Sequence, residues 1–242
     1  MTAGHPAAEA TRERFAQLEA NLAVVRRSIA DACDKAGRDP AEVTLVAVTK
    51  TFPESDVRAL AKLGVTDVGE NRESELKRKA AADIEVTWHF VGQLQSNKAR
   101  SVARYADVVH SVDRDSLVVA LAKARAGADT PLRCLIQVAL SDDAGRPQRG
   151  GVVPEGVPAL AAAIGGADGL ELGGVMAVAP LGADPARAFA ELADVAAALR
   201  AEHPGATWVS AGMSGDLEAA VGCGATHVRI GRALLGTRPR AG

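Results

Sequence analysis

The sequence predicts a single (β/α)₈ barrel of the TIM type, an α/β fold, preceded by an extra N-terminal helix. Short apolar runs alternate with helical stretches along almost the whole chain. Eight such runs occur, and nearly all lead into a helix. Regular β-then-α alternation calls for a parallel sheet with helical crossovers, and eight units favour closure over an open sheet. A chain of 242 residues suits one domain of that kind.

From residue 9 to 36, Phe15, Leu18, Leu22, Val25 and Ile29 recur at three- and four-residue steps, which marks one amphipathic helix. Gly37 stops it, and Pro40 lies just beyond. Strands are expected at 44–49, 67–69, 87–91, 108–111, 132–140, 169–175, 207–210 and 226–230. Helices are expected at 54–63, 72–82, 97–105, 114–126, 157–164, 185–202 and 215–221. The barrel then covers 9–236, with a disordered tail at 1–8 and a second tail at 237–242. The segment 141–154, rich in Asp, Gly, Pro and Arg, reads as a loop overhanging one barrel end.

Composition narrows the function classes. Aromatics are only 3% of residues, so the core must be built from Ala, Val, Leu and Ile, as barrel layers prefer. A formal charge of -2 gives no electrostatic case for nucleic acid or an anionic membrane as a partner. Cys33, Cys134 and Cys223 are widely spaced and form no CxxC pair, so neither a metal site nor a disulfide framework is expected. No signal-like segment and no long uniformly apolar window is present, which points to the cytoplasm.

In such barrels the chemistry sits where strands end and helices begin. Lys50 closes the first strand, where burial would lower its pKa and make the amine nucleophilic toward aldehydes. Taken alone, it reads first as a strand-end lysine that snorkels to solvent. After the seventh strand, 210–216 reads Ser-Ala-Gly-Met-Ser-Gly-Asp, with Ser214 either offering a hydroxyl to an anion or simply capping a helix. After the eighth, Gly231 and Arg232 form another glycine-containing helix start. Loops after strands seven and eight are a recurrent phosphate site in barrels, and the eighth strand of a closed barrel neighbours the first. A phosphate site beside Lys50 suits an aldehyde phosphate, or a sugar phosphate in a Schiff-base aldolase.

Several motifs resemble the pyridoxal phosphate homeostasis protein family, relatives of the alanine racemase barrel domain. They are Val48-Thr49-Lys50, Gly69-Glu70-Asn71, the run from Trp88 to Lys98, Gly212-Met213-Ser214 and Arg229-Ile230-Gly231. The resemblance spans about residues 10–236 and is most specific over Trp88 to Lys98. It implies a fold-type III pyridoxal 5′-phosphate (PLP) barrel without the racemase's C-terminal β-domain, with PLP held as an internal aldimine on Lys50. It also implies that Ser214 and backbone N–H groups near Met213, Gly231 and Arg232 bind the phosphate. Arg229 becomes the partner of the pyridine nitrogen, or else a structural ion-pair residue at the mouth. Asn71 bonds the cofactor or shapes the mouth. His89 reads equally as a satisfied core histidine and is not assigned as a base, and Gln93 to Lys98 line the mouth, with Lys98 otherwise a solvated helix charge. The sequence departs from the family at Ala211, where relatives have serine, and in 141–151, which lacks their Glu and Lys.

Racemisation needs acid and base groups on opposite faces of the cofactor. The racemase supplies one from a tyrosine of its extra domain, and a second tyrosine four residues after the lysine binds phosphate. Here that second position is Glu54, and the chain's only tyrosine, Tyr105, should end a helix far from the mouth. The expectation is therefore a cofactor reservoir in vitamin B6 homeostasis, a monomer serving PLP-dependent apo-enzymes, without robust catalysis. The alternatives are a racemase with an unidentified second base and a cofactor-free aldolase.

Overall fold

In a computed structural model of the chain, residues 6–140 and 150–237 are described. Helix α1 (Pro6–Ala36) precedes β1 (Thr44–Val48), α2 (Glu54–Lys62), β2 (Asp67–Glu70), α3 (Glu73–Ala80) and β3 (Thr87–Phe90). Then come α4 (Ala99–Tyr105), β4 (Val108–Val112), α5 (Asp115–Arg125), β5 (Leu132–Gln137), α6 (Val157–Gly165) and β6 (Leu170–Met176). The chain ends through α7 (Pro185–Glu202), β7 (Trp208–Ser210), α8 (Leu217–Gly222), β8 (His227–Ile230) and the short α9 (Arg232–Leu235). The eight strands are parallel and close in sequence order into one barrel. β1 completes the ring against β8, with Val46 opposite Arg229 and Ala47 opposite Ile230.

All eight expected strands form, and each expected helix has a counterpart within a few residues. α1 starts at Pro6 rather than 9, since proline is well suited to a first helical turn. β5 stops at Gln137 rather than 140, and Val138 keeps only an isolated bridge to Val152 as the chain leaves the wall. Residues 1–5, 238–242 and most of the expected overhanging loop (141–149) lie outside the described residues. All three cysteines are free.

Two packing zones differ in kind. Alternate strand residues face outward onto the helices, where Val68, Phe90, Ile136, Val175 and Val228 pack with Leu60, Leu76, Leu117, Leu160 and Leu192. On α1, Leu18, Leu22, Val25, Ile29 and Cys33 form one buried stripe. The same helix is tied down where Arg14 pairs with Asp56 at 2.6 Å and donates to the Leu235 carbonyl, and Asn21 donates to that of Leu234. The barrel interior is more polar. Among the described residues, Val108, Leu135 and Met176 make a small separate buried apolar cluster there, and His89, His110, Ser210 and Arg229 are all buried. β4 and β7 are not neighbours, so the His110–Ser210 contact crosses the lumen.

Candidate functional site

Every strand is parallel, so the segments following β1, β2, β7 and β8 share one mouth. Val46 and Val48 face Gly69 across the inner wall. Side chains alternate along a strand, so Lys50 continues that inward set. Lys50 is partly buried, and among the described residues its amine has no hydrogen bond or ion pair.

Both neighbours of Lys50 are pinned from outside the wall. Thr49 Oγ1 donates to Glu70 Oε1 at 2.6 Å, and the Lys79 ammonium donates to the Thr49 carbonyl at 2.7 Å. Lys79, wholly buried, also pairs with Glu70 Oε1 at 2.5 Å and lies 3.6 Å from Glu75 Oε2. Glu75 in turn accepts the Thr51 N–H at 2.6 Å. Thr51 has φ 69°, a left-handed conformation that a β-branched residue adopts only under constraint. Burial pushes the Glu70 carboxyl up, and the Lys79 charge with bonds from Lys79 and Thr49 only partly offsets it. Glu70 Oε2 is buried without a hydrogen-bond partner. Sequence reasoning missed this cluster, because α3 reads as a polar, solvated helix.

Across the lumen, Arg229 is buried and takes no part in any ion pair among the described residues, which corrects the ion-pair alternative. Its Nη1 donates to Ser210 Oγ at 2.7 Å and its Nη2 to the Ala177 carbonyl at 2.8 Å. Burial pushes its pKa down to about 10 against the opposing pull of Asp216, so the guanidinium stays charged at neutral pH. Behind it, Ser210 Oγ lies 3.0 Å from His110 Nδ1, His110 Nε2 lies 2.8 Å from His89 Nδ1, and His89 Nε2 lies 2.8 Å from Asp67 Oδ1. His89 is thus a satisfied core histidine. His110, Ser210 and Asp67 carried no signal in the sequence beyond polar residues at inward strand positions.

Gly212 has φ 89°, and a Cβ there would meet that of Ala220 at 2.6 Å, so the loop after β7 requires glycine. Met213 is exposed, and its N–H donates to Asp216 Oδ1 at 2.5 Å, which removes it from the free donors expected around an anion. Ser214 is exposed. Among the described residues, the N–H groups of Ser214, Gly231 and Arg232 have no acceptor. At Gly231 a Cβ would find only ordinary contacts, the nearest at 3.4 Å, so the backbone itself does not demand glycine there. Asn71 is exposed at the mouth, its carbonyl pressed against Gly92, where any Cβ would overlap it. Gln93 lies against Gly150, whose carbonyl also accepts from Gln137. Lys98 is half exposed, 3.8 Å from Glu73. Tyr105 closes α4 just before β4 starts, at the end of the barrel away from the mouth.

This donor set fits PLP: an uncommitted amine for the aldehyde, a hydroxyl and free N–H groups for the phosphate, and one buried cation inside the ring of strands.

Comparison with known proteins agrees with the chemistry. Residues 16–239 match the alanine racemase N-terminal domain. The pyridoxal phosphate homeostasis protein of Pseudomonas aeruginosa is 43% identical over 220 residues, covering 90% of this chain and 94% of the relative. That of Mycobacterium bovis is 41% identical over 244 residues, covering 93% and 95%. The solved structure of PipY from Synechococcus elongatus with PLP bound superposes with a TM-score of 0.75 at 31% identity, covering 90% of this chain and 100% of that one. A racemase-type barrel with its lysine, arginine and glycine loops at one mouth, close to these relatives over nearly its whole length, belongs to the pyridoxal phosphate homeostasis protein family.

Proposed function

We propose that this chain binds PLP at the barrel mouth, covalently through Lys50, and serves as a reservoir or carrier of the cofactor in vitamin B6 homeostasis. The observation that carries the reading is an amine without a protein partner, on a backbone fixed from both sides, at the same mouth as the buried Arg229. PLP supplies an aldehyde that condenses with a primary amine, losing water. Lys50 supplies the amine. Ser214 and the N–H groups of Ser214, Gly231 and Arg232 hold the phosphate, and Asn71 borders the ring. Met213 contributes its N–H only if Asp216 releases it. Arg229 faces the pyridine nitrogen. A guanidinium does not give up its proton there, so the ring stays a weak electron sink.

The same features favour storage over turnover. Among the described residues, both lumen histidines of β3 and β4 are committed to hydrogen bonds, and Tyr105 lies at the far end. Among the described residues, neither these histidines nor Tyr105 is thereby offered as a second acid or base opposite Lys50. The recipients on this reading are PLP-dependent apo-enzymes of the cytoplasm, served by a monomer.

Purified protein loaded with PLP is expected to show a visible band that borohydride bleaches, and Lys50→Ala is expected to lack it. A bleachable band in Lys50→Ala would overturn the assignment. Racemisation assayed by chiral chromatography should stay far below the ~10 s⁻¹ of an ordinary enzyme, and turnover near that rate sinks the carrier reading.

A further inference from the structure

Behind Arg229 runs an unbroken line of four hydrogen bonds crossing the lumen from β8 through β7, β4 and β3 to the start of β2. Its hydrogens can be placed by elimination. Arg229 can only donate, so Ser210 Oγ accepts on that side. Ser210 is fully buried, and its own hydrogen must find an acceptor or cost free energy. The acceptor within reach is His110 Nδ1 at 3.0 Å. His110, fully buried, is held neutral, so its proton sits on Nε2 and points at His89 Nδ1. His89 must then donate from Nε2 to Asp67. Burial pushes the Asp67 carboxyl up, but hydrogen bonds from His89 and Thr66 outweigh it, so Asp67 stays ionised and only accepts. Every hydrogen along the line points from the arginine toward the aspartate.

We infer that Asp67 is a positioning residue for Arg229, ordering a one-way relay through His89, His110 and Ser210 that fixes the guanidinium in the orientation in which it would meet the pyridine nitrogen. The inference rests on the reading that Arg229 faces the pyridine nitrogen. It adds residues from four strands, none of which is assigned a ligand contact. A donor-only group at one end and an acceptor-only group at the other leave a single proton arrangement between them. Asp216 also pulls on Arg229, but from the mouth. Around the relay stand His227, with Thr226 Oγ1 2.8 Å from its Nδ1, and Trp208, with Arg133 over its ring at 4.4 Å.

The relay is tested first without cofactor. Nitrogen-15 NMR of the apo-protein at pH 7.5 should show His110 as the neutral Nε2–H tautomer. An Nδ1–H tautomer overturns the relay, because His110 would then donate toward Ser210 and accept from His89. With PLP, Ser210→Ala and Asp67→Asn should each weaken binding about three- to tenfold and move the pH midpoint of the visible band, with the Lys50 link retained. Asp67→Asn keeps one oxygen acceptor for His89, removes the charge and puts an amide donor where Thr66 now donates. The double variant should be no weaker than Ser210→Ala alone, and Ser210→Thr should restore the parent midpoint. Parent-like binding and midpoint in Asp67→Asn, or additive losses in the double variant, overturn the inference. Arg229→Gln separates the two layers. If it binds PLP with the parent's affinity and midpoint, the assignment of Arg229 to the ring fails, whatever the His110 tautomer. If it shifts both while Asp67→Asn shifts neither, only the relay fails.

Discussion

The two sides of the mouth are supported by opposite means. Beneath Lys50, between wall and helices, a buried ammonium is shared by two carboxylates: Lys79 with Glu70 and Glu75. Beneath Arg229, inside the lumen, two imidazoles and a hydroxyl carry the support, and the nearest carboxylate on that line is four hydrogen bonds away. The first device fixes backbone, at Thr49 and Thr51. The second fixes a side chain. A buried ion pair tolerates the loss of neither partner, whereas a line of neutral groups loses one modest bond at a time.

The largest effect should come from the ionic side. Lys79→Met leaves Glu70 buried without its cation and should cost about 3–5 kcal/mol in urea denaturation at pH 7.5. Adding Glu70→Gln should recover part of that loss. If the single variant unfolds like the parent, the cluster does not anchor the backbone at Thr49 and Thr51.

The two sides also answer pH with opposite signs. Burial lowers the pKa of His227 to about 3, and that of His110 well below 6.5. The unfolded chain takes up these protons near pH 6.5 and the folded chain refuses them, so their contribution is full above 6.5 and lost as pH falls. Glu70 runs the other way. Its raised carboxyl favours the folded state at low pH, and that contribution is lost as pH rises through its folded value. Between pH 7.5 and 5.5, His227→Phe should therefore keep about 1.4 kcal/mol more of its starting stability than the parent does. Equal acid sensitivity in the two proteins would show that His227 titrates normally.

The smallest effect sharpens the lysine side. Thr51→Gly relieves a left-handed strain of about 1–2 kcal/mol but gives back about 0.5–1 kcal/mol in chain entropy. A net gain of about 0.5–1 kcal/mol is expected in the same denaturation assay. A net loss would show that the Thr51 side chain contributes more than its backbone costs.

What the sequence made legible follows from the range of each interaction. The strands could be placed because each apolar run is local, and Lys50, Arg229 and Gly231 because motifs accompany them. The supports are not local. Lys79 reads as one more charge on the polar stretch Glu-Ser-Glu-Leu-Lys-Arg-Lys-Ala, and only the packing of α3 against β2 shows that it is buried. His110 and Ser210 sit on strands that never pair, so no pattern along the chain joins them. The free donors around an anion could be anticipated as a loop but not one by one, which is why Met213 was expected free and is bonded to Asp216.

Closure of β1 on β8 has a consequence for how the protein is made. Lys50 follows the first strand, Arg229 lies on the last and Gly231 just after it, and α1 is latched to the carbonyls of Leu234 and Leu235. On the proposed reading, a chain emerging from the ribosome presents Lys50 early but cannot surround a ligand until β8 and the segment after it have followed. Capture, if Lys50 is the attachment point proposed above, is thereby coupled to closure of the ring: a product that stops before β8 carries the lysine without the Arg229 side of the mouth.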